Sequence, residues 1–300
     1  MSILSFNHLL QFHSIWKSIP FETKIERELA NSFLKKIIDS EIKTNKSEIE
    51  KRQKQSFKVM KQFSMISSMA EETSHSYSIF MEKRKAAWLY LSLSLYNKQY
   101  DQIIEPESNR ILKAFEPFHS QKRIILAPFH MGMHTMTMPL ITRYCHKSTI
   151  LVNSEEIEII RKWLSTYLEP KYNDSTMMVP VPSHTGPLKF AKAIMRGETG
   201  IIFPEFSYGI NQDEEEVEFL GGTFKVPIGV YILAKRLSAI VYPIGSAWNQ
   251  ETNTVQFMIG DPLDAGTMPQ FDFLQHLFSQ GEKWIAEHPE QWFWDYLIES

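Results

Sequence analysis

Two patterns of hydrophobic spacing meet near residue 121 of the chain. Before this point, apolar residues recur every three or four positions with charges between them, which is the spacing of amphipathic helices. After it, short β-branched runs bounded by turn residues predict buried strands that alternate with helical segments. The helices predicted before residue 121 are 24–42, 44–72 and 78–100.

The remainder of the chain predicts an α/β fold. The predicted strands are 123–129, 148–153, 176–182, 199–206, 239–248 and 254–263. The predicted helices between them are 154–170, 186–198 and 226–239, and another precedes an aromatic-rich C-terminal segment. Such alternation is typical of a mostly parallel central sheet flanked by helices. We therefore predict an all-helical N-terminal region, 1–120, packed on an α/β core, 121–300, as one integrated domain, because no Gly-, Pro- or Ser-rich linker separates them.

Composition and charge narrow the class of protein. The chain has 300 residues, of which 43% are hydrophobic, and a formal net charge of −3 at pH 7. These values are typical of a globular protein and argue against a nucleic-acid partner, because nucleic-acid binders usually carry a basic surplus. The single cysteine, Cys145, excludes an intrachain disulfide and predicts a reducing compartment.

The sequence predicts a cytoplasmic protein. Its longest apolar stretch, "AAWLYLSLSLY" at 86–96, is shorter than the roughly 18 apolar residues that a membrane-spanning helix needs. The N-terminus has neither the basic start nor the small-residue cleavage site of a signal peptide. Peripheral contact with the inner membrane stays open, because "ILSFNHLLQFHSIW" has the pattern of an amphipathic surface helix. The same pattern also suits a helix packed on its own domain.

Two polar residues come just after apolar runs near the ends of predicted strands, where parallel sheets hold their functional sites. In "RIILAPFHMGMHT" the first strand ends and His130 follows, so that an imidazole suited to general-base catalysis stands at the sheet edge. In "IIFPEFSYG" Glu205 comes just after the apolar run of the fourth strand, and its carboxylate can orient a base or bind a polar acceptor. Alternatively, each of the two is a polar residue at a strand or loop end whose hydrogen bonds are satisfied and which has no role in chemistry.

The spacing of His130 and His134 raises the alternative of a metal site. Residues four apart share a face of a helix, which is the geometry of two zinc ligands. The zinc-protease pattern, however, needs Glu after the first His, where Met131 stands, and the spacing suggests no third ligand. Nearby methionines are interpreted as core packing or, alternatively, as the lining of an apolar channel for an acyl chain. They are Met131, Met133, Met136 and Met138.

Three further features carry weaker signals. The acidic run "NQDEEEVE", 211–218, predicts a solvated loop or, if it lies beside a site, a preference for a cationic acceptor. Cys145 is followed by His146, but adjacent residues on a helix point in different directions and make a poor nucleophilic pair. Ser207 lacks the glycine-flanked elbow of hydrolases.

Segments within 85–297 together resemble the lysophospholipid acyltransferase superfamily, and within it the bacterial late acyltransferases of lipid A, the lauroyl and myristoyl transferases. "PFHMGMHT" matches the family's His and Gly at His130 and Gly132. "IIFPEFSYG" resembles the strand and acidic residue that line the acceptor site. "EFLGGTFKVPIGVYILAKRLSAIVYPIG" resembles the family's Phe-Phe-Gly segment, Pro-x-Gly helix start and following strand, and "HPEQWFWDY" resembles its closing Pro-Glu-Gln-Trp-x-Trp.

The resemblance implies an acyltransferase-like α/β fold and transfer of an acyl group from a thioester to a hydroxyl or amine. The implied donor is acyl-CoA or an acyl or aminoacyl carrier protein, the acceptor is a small molecule or a lipid, and no metal or bound cofactor is implied. His130 would be the general base, and backbone N–H groups near Gly132 would stabilise the oxyanion. The implied substrate-binding residues are Gly132, Thr135, Phe206, Ser207, Tyr208 and Gly221.

Three departures from the family pattern qualify this prediction. The family's catalytic acid falls on Thr135, whose hydroxyl cannot stabilise an imidazolium by Coulomb attraction. We expect Glu205 to substitute for it, with His134 as the second choice. The family's basic residues after the closing motif are replaced at 295–297, and its usual membrane anchor is not recognisable at the N-terminus. Both departures favour a soluble or carrier-borne acceptor over lipid A.

Two hypotheses of other classes stay open. One is a non-catalytic subunit that binds an acyl chain or a carrier protein on the same fold, and the replaced acid at Thr135 motivates it. The other is metal-dependent hydrolysis through His130 and His134.

Overall fold

The computed structural model describes residues 32, 35–36, 39–40, 42–96, 104, 123–134, 147–158, 160–161, 176–205 and 213–298. The helices of 8 residues or more are α1 (Lys46–Met60), α3 (Ala70–Tyr96), α4 (Gly186–Met195), α5 (Gly229–Leu237) and α6 (Gln270–Glu287). The shorter ones are α2 (Ser64–Ser67), a 3-10 turn (Pro289–Gln291) and α7 (Asp295–Ile298). Nine strands accompany them in this part of the chain: β1 (Ile124–Pro128), β2 (Ser148–Asn153), β3 (Thr176–Val181), β4 (Thr199–Ile201), β5 (Glu214–Phe219), β6 (Gly222–Pro227), β7 (Ile240–Asn249), β8 (Thr254–Ile259) and β9 (Leu263–Asp264).

A mostly parallel sheet forms the centre of the molecule, as the sequence predicts. Its strand order is β3-β2-β4-β1-β7-β8, and β9 pairs with β7. The first five strands of this order run parallel, whereas β8 and β9 pair antiparallel with β7. All residues of β1 are buried, because a central parallel strand is covered on both faces. The α/β class is therefore confirmed.

The strand order creates a crevice between β1 and β4. These strands are neighbours, with Ile125 opposite Gly200. From β1 the chain continues to β2 on one side of this pair, and after β4 it next joins the sheet at β7 on the other. Ligands of open α/β sheets bind where neighbouring strands have connections leading in opposite directions, outside their carboxyl ends. His130 and Glu205 follow these two strands.

The helices before the sheet pack against the C-terminal segment. Phe63 contacts Trp294 edge to face at 5.8 Å between ring centroids. The carboxylate of Glu82, fully buried, accepts hydrogen bonds from Arg52 at 3.0 Å and from Asn45 at 2.9 Å. Tyr77 hydroxyl accepts a bond from the backbone N–H of Asp295, and burial together with that aspartate raises the pKa of Tyr77 well above 10.0. The Glu82 bonds join the helices to each other, and the contacts of Phe63 and Tyr77 hold the C-terminal segment against them.

Several element boundaries differ from the prediction. The predicted helix 44–72 breaks at 61–63, where the β5–β6 turn docks, and Ser64 Oγ donates to the carbonyl of Gly221 at 2.9 Å. Ile104 pairs with Val255 in an isolated β-bridge, so the region predicted to be all-helical also contributes to the sheet. Strand β4 ends at Ile201 rather than at 206.

The acidic run predicted as a solvated loop is instead mostly strand β5. Val217 and Phe219 alternate with glutamates and are buried, so a period of two lies inside the charged run. The hairpin lies on α6, where Gln270 donates to Glu215 at 2.9 Å and Gln275 donates to the Glu218 carbonyl. The prediction of a loop is therefore wrong, because most of the run is a strand packed on a helix, whereas the preference for a cationic acceptor stays a prediction.

None of the helices in the described ranges has the length and the apolar character that crossing a bilayer requires.

Candidate active site

The segment after β1 is fixed tightly against the neighbouring strand. Phe129 N–H donates to the Ile244 carbonyl at 2.8 Å, so the β1–β7 ladder continues to the residue before His130. Gly132 then adopts φ +56°, and a Cβ there would lie 2.1 Å from the Ser246 carbonyl oxygen. Only glycine tolerates both this conformation and this close approach. The backbone therefore turns sharply beside His130.

Glu205 meets His130 across the crevice. Glu205 Oε2 lies 3.0 Å from His130 Nδ1, and Oε1 accepts the backbone N–H of His130 at 2.9 Å. Both side chains are buried, at 9% and 4% exposure. A carboxylate only accepts hydrogen bonds, so Nδ1 carries the proton and Nε2 is left as the acceptor. This arrangement orients an imidazole in the form that takes up a proton.

The C-terminal segment completes the environment of this carboxylate. Trp292 Nε1 donates to Glu205 Oε1 at 3.0 Å. The same segment pairs antiparallel with the loop after β1: Gly132 N–H donates to the Gln291 carbonyl at 2.8 Å, and Phe293 N–H donates to the His130 carbonyl at 2.9 Å. The Glu205 carboxylate thus receives three donors, two from His130 and one from the chain end.

In Trp292→Phe, a reaction that uses His130 as its base should slow by about tenfold, since a hydrogen bond to a charged group contributes about 1.5–3 kcal/mol. The ring volume is largely kept, so the main loss is the indole N–H. Steady-state kinetics would measure kcat and KM. Trp294→Phe is the matched control, because Trp294 Nε1 is also buried and donates elsewhere, to the Pro289 carbonyl. Equal losses in both variants would contradict a specific role for Trp292.

Aromatic rings and a second histidine surround His130. The Phe203 ring stacks on the His130 ring at 4.1 Å and 27°. His134 meets the His130 ring edge to face at 4.9 Å and contacts Phe293 at 5.0 Å. The guanidinium of Arg84 lies 4.2 Å above the Phe293 ring, and its Nη2 lies 3.4 Å from Nδ1 and 3.5 Å from Nε2 of His134. Glu205, rather than His134, therefore hydrogen-bonds His130 Nδ1.

The environment of His134 keeps its imidazole neutral. Burial lowers the pKa of His134 well below 6.5, and the charges of Arg84 and His130 lower it further. Because the unfolded chain then binds a proton that the folded chain rejects, the free energy of unfolding falls as pH drops below about 6.5.

His134→Phe should therefore reduce the acid sensitivity of the fold by about 1 kcal/mol between pH 7.5 and pH 5.5. Urea unfolding at the two pH values would measure the difference in the free energy of unfolding for each protein. His184→Asn serves as a control, because His184 is exposed. A wild type and His134→Phe with the same pH dependence would exclude a depressed pKa at His134.

A metal centre finds no support in the described residues. Among them, no group of three or more His, Cys, Asp and Glu side chains is placed to hold a metal ion. The guanidinium beside His134 would also repel a cation at the two histidines.

The remaining predicted residues divide into three groups. Gly132 and Gly221 have structural contacts: the N–H of Gly132 is already bonded to Gln291, so it is not an oxyanion donor, and Gly221 lies in the β5–β6 turn with φ +72°. A substrate-binding role for Gly132 and Gly221 stays a prediction. Met131 and Met133 are fully buried in the core, which is the first of the two interpretations given above. Predicted residues outside the described ranges are Thr135, Met136, Met138, Cys145, Phe206, Ser207 and Tyr208.

Sequence reasoning missed the roles of Trp292, Arg84 and Phe203. The closing motif singles out the tryptophan, but nothing in the sequence aims its indole at Glu205. Arg84 stands in a helix more than forty residues before His130, and only the tertiary fold brings it to His134. Phe203 stands two residues before Glu205, and this nearness in sequence could have indicated that its ring lies beside the site.

An apolar cavity adjoins the site on the other side of Phe203. It measures about 280 Å³, and residues of both α4 and α5 line it. Its walls include the carboxyl ends of strands β2 and β3, the segment after β4 and the first turns of both helices, and Asp213 and Arg236 lie at its edge. The apolar wall residues are Leu151, Val181, Ile202, Phe203, Val230 and Leu233.

Comparisons with protein families and with solved structures each found a match. A family model described as "Bacterial lipid A biosynthesis acyltransferase" matches residues 68–295. The crystal structure of the 1-acyl-sn-glycerophosphate (LPA) acyltransferase PlsC from Thermotoga maritima is similar over 70% of this chain and 99% of that chain, with a TM-score of 0.39 and 16% sequence identity. None of the curated proteins matches the chain.

Proposed function

Because this chain belongs to the bacterial lipid A biosynthesis acyltransferase family, we propose that it transfers an acyl group from a thioester to a hydroxyl or amine, with His130 as general base. The donor is acyl-CoA or an acyl or aminoacyl carrier protein. Glu205 supplies the carboxylate that the family has at the position occupied here by Thr135. The observation that carries the proposal is the 3.0 Å contact between His130 Nδ1 and the Glu205 carboxylate.

The geometry supports His130 as a base on the Nε2 side. With Nδ1–H donated to Glu205, Nε2 can take the proton from the acceptor O–H or N–H as that atom attacks the thioester carbonyl. The imidazolium formed in this step faces the negative charge of Glu205, which stabilises it. The tetrahedral intermediate then expels the thiolate, which receives the proton from Nε2. The products are the acylated acceptor and the free thiol.

The cavity beside Phe203 is suited to the acyl chain of the donor. Its lining is mostly apolar, and Phe203 belongs both to that lining and to the stack on the His130 ring, so the proposal places the acyl chain in the cavity and the thioester near Nε2. Burying each methylene contributes about 0.8 kcal/mol. The cavity therefore favours an apolar chain over a polar acyl group.

Gly229→Phe should shift the donor preference to shorter chains, by about fourfold in kcat/KM for each methylene excluded. Gly229 lines the cavity, and a Cβ there meets no atom within 4 Å, so the added ring can enter the cavity with little strain. Competition assays with acyl thioesters of graded length would measure the shift. Gly229→Ala is the control and should keep the wild-type preference. An unchanged length profile in Gly229→Phe would place the chain elsewhere.

The decisive test is thioester consumption followed by intact-mass spectrometry. Purified protein is mixed with a panel of acyl-CoA and acyl-carrier thioesters and with small hydroxyl and amine acceptors, and His130→Ala is run beside it. We expect turnover by the wild type and its collapse in His130→Ala. Wild-type protein no faster than His130→Ala across the panel, with carrier binding retained, would instead favour a non-catalytic binding subunit.

A further inference from the structure

Helix α4 presents an outer face that the site does not use. Phe190, Ala193 and Ile194 pack inward on the sheet. Leu188 and Met195 lie on the opposite face, 56% and 62% exposed, and are the two most exposed large hydrophobic residues in the described ranges. The two residues are seven positions apart, so they stand nearly in line along the helix.

The same face is cationic. Lys189, Lys192 and Arg196 are exposed, and Lys192 lies four residues after Leu188 and three before Met195, between the two apolar side chains. The helix contains no acidic residue, and Arg196 pairs with Glu198 just beyond its end at 2.7 Å. This local surplus of positive charge contrasts with the net charge of −3 of the whole chain. We call Leu188, Lys189, Lys192, Met195 and Arg196 the α4 surface.

An anionic bilayer interface matches this combination better than a folded protein does. Apolar side chains reach below the headgroups, while Lys and Arg stems extend so that their charges stay at the phosphates. Each cation near an anionic leaflet adds to the attraction. A helix of 10 residues is about 15 Å long, so its face by itself is small beside the roughly 500 Å² that each partner of a stable protein interface buries.

The position of the α4 surface is also informative. Pro187, in the first turn of α4, lines the apolar cavity, and the next residue is Leu188. One wall of the cavity therefore adjoins the α4 surface.

We propose that the α4 surface binds the interface of an anionic lipid bilayer. Leu188 and Met195 enter the acyl boundary, and Lys189, Lys192 and Arg196 contact lipid phosphates. This binding is independent of acyl transfer, so it goes beyond the proposed function and can fail or hold separately from it.

Vesicle flotation of the full chain tests the proposal. The vesicles contain phosphatidylcholine alone or phosphatidylcholine with phosphatidylglycerol. Two double variants alter the α4 surface, Leu188→Gln/Met195→Gln and Lys189→Gln/Lys192→Gln. Their matched controls are Met65→Gln/Met69→Gln, at exposed methionines elsewhere, and Lys51→Gln/Lys54→Gln, at exposed lysines with the same spacing on α1. Circular dichroism confirms that each variant is folded.

We expect binding to anionic vesicles that weakens with salt, falls by about tenfold in each α4 variant, and is unchanged in the controls and in His130→Ala. Absence of binding, or binding that the α4 variants leave intact, would overturn the proposal. So would α4-dependent binding of an acidic acyl carrier protein without binding to vesicles, because the surface would then serve a protein partner.

Discussion

Glu205→Gln should lower kcat about a thousandfold to ten-thousandfold while the protein stays folded. Glutamine keeps the size of the side chain and one acceptor oxygen, but it has no charge to stabilise the imidazolium. Its amide N–H₂ also competes as a donor toward His130 Nδ1, which now lies 3.0 Å from a carboxylate oxygen. That competition favours the tautomer in which Nε2 already carries a proton and cannot accept another.

Steady-state thioester consumption would measure this loss, with thermal unfolding as a check on folding. The double variant His130→Ala/Glu205→Gln should be no slower than His130→Ala, because Glu205 acts through His130 and groups that act as a unit are not additive. A Glu205→Gln enzyme within about tenfold of wild type would show that another group supplies the missing charge.

Gly132→Ala should lower the free energy of unfolding by about 3 kcal/mol, the sum of left-handed backbone strain and overpacking. The added Cβ would lie 2.1 Å from the Ser246 carbonyl oxygen and 3.0 Å from Ala247 Cα. Both atoms belong to the backbone of β7, which is paired with β1 and β8 and cannot move aside cheaply. The loop that holds His130 is displaced instead, so activity falls with stability.

Gly197→Ala separates the cost of left-handed backbone strain from the cost of overpacking. Gly197 also has a positive φ, +90°, but a Cβ there meets no atom within 4 Å. We expect it to lower the free energy of unfolding by only about 1 kcal/mol. Urea unfolding of the two variants would give the comparison, and similar losses at both positions would show that the contact with β7 is relieved by a small backbone shift.

The sequence was most informative where a pattern depends on neighbouring residues. Strands β2 and β7 form close to the predicted ranges, because a buried parallel strand requires a continuous apolar run between turn residues. The strand ends then placed His130 and Glu205 at one edge of the sheet. The hairpin Glu214–Pro227 was missed, since four glutamates concealed the alternation of Val217 and Phe219.

Helix boundaries were less predictable where a distant contact interrupts the chain. The amphipathic pattern from 44 to 72 continues through residues 61–63, yet the β5–β6 turn docks there and ends α1. Only the folded molecule supplies that turn, so the local pattern contains no signal for the break.

The sequence by itself determined the α/β class, and it predicted a site at the strand ends with His130 and Glu205 as candidate base and acid. These depend on periodicity and on the order of segments, which are local properties of the chain. Only the tertiary structure decided that the Glu205 carboxylate lies on His130 Nδ1, that Trp292 donates to the same carboxylate and that Arg84 lies against His134. Those contacts join residues 50 to 87 positions apart, and the strand order and the docked C-terminal segment set their distances.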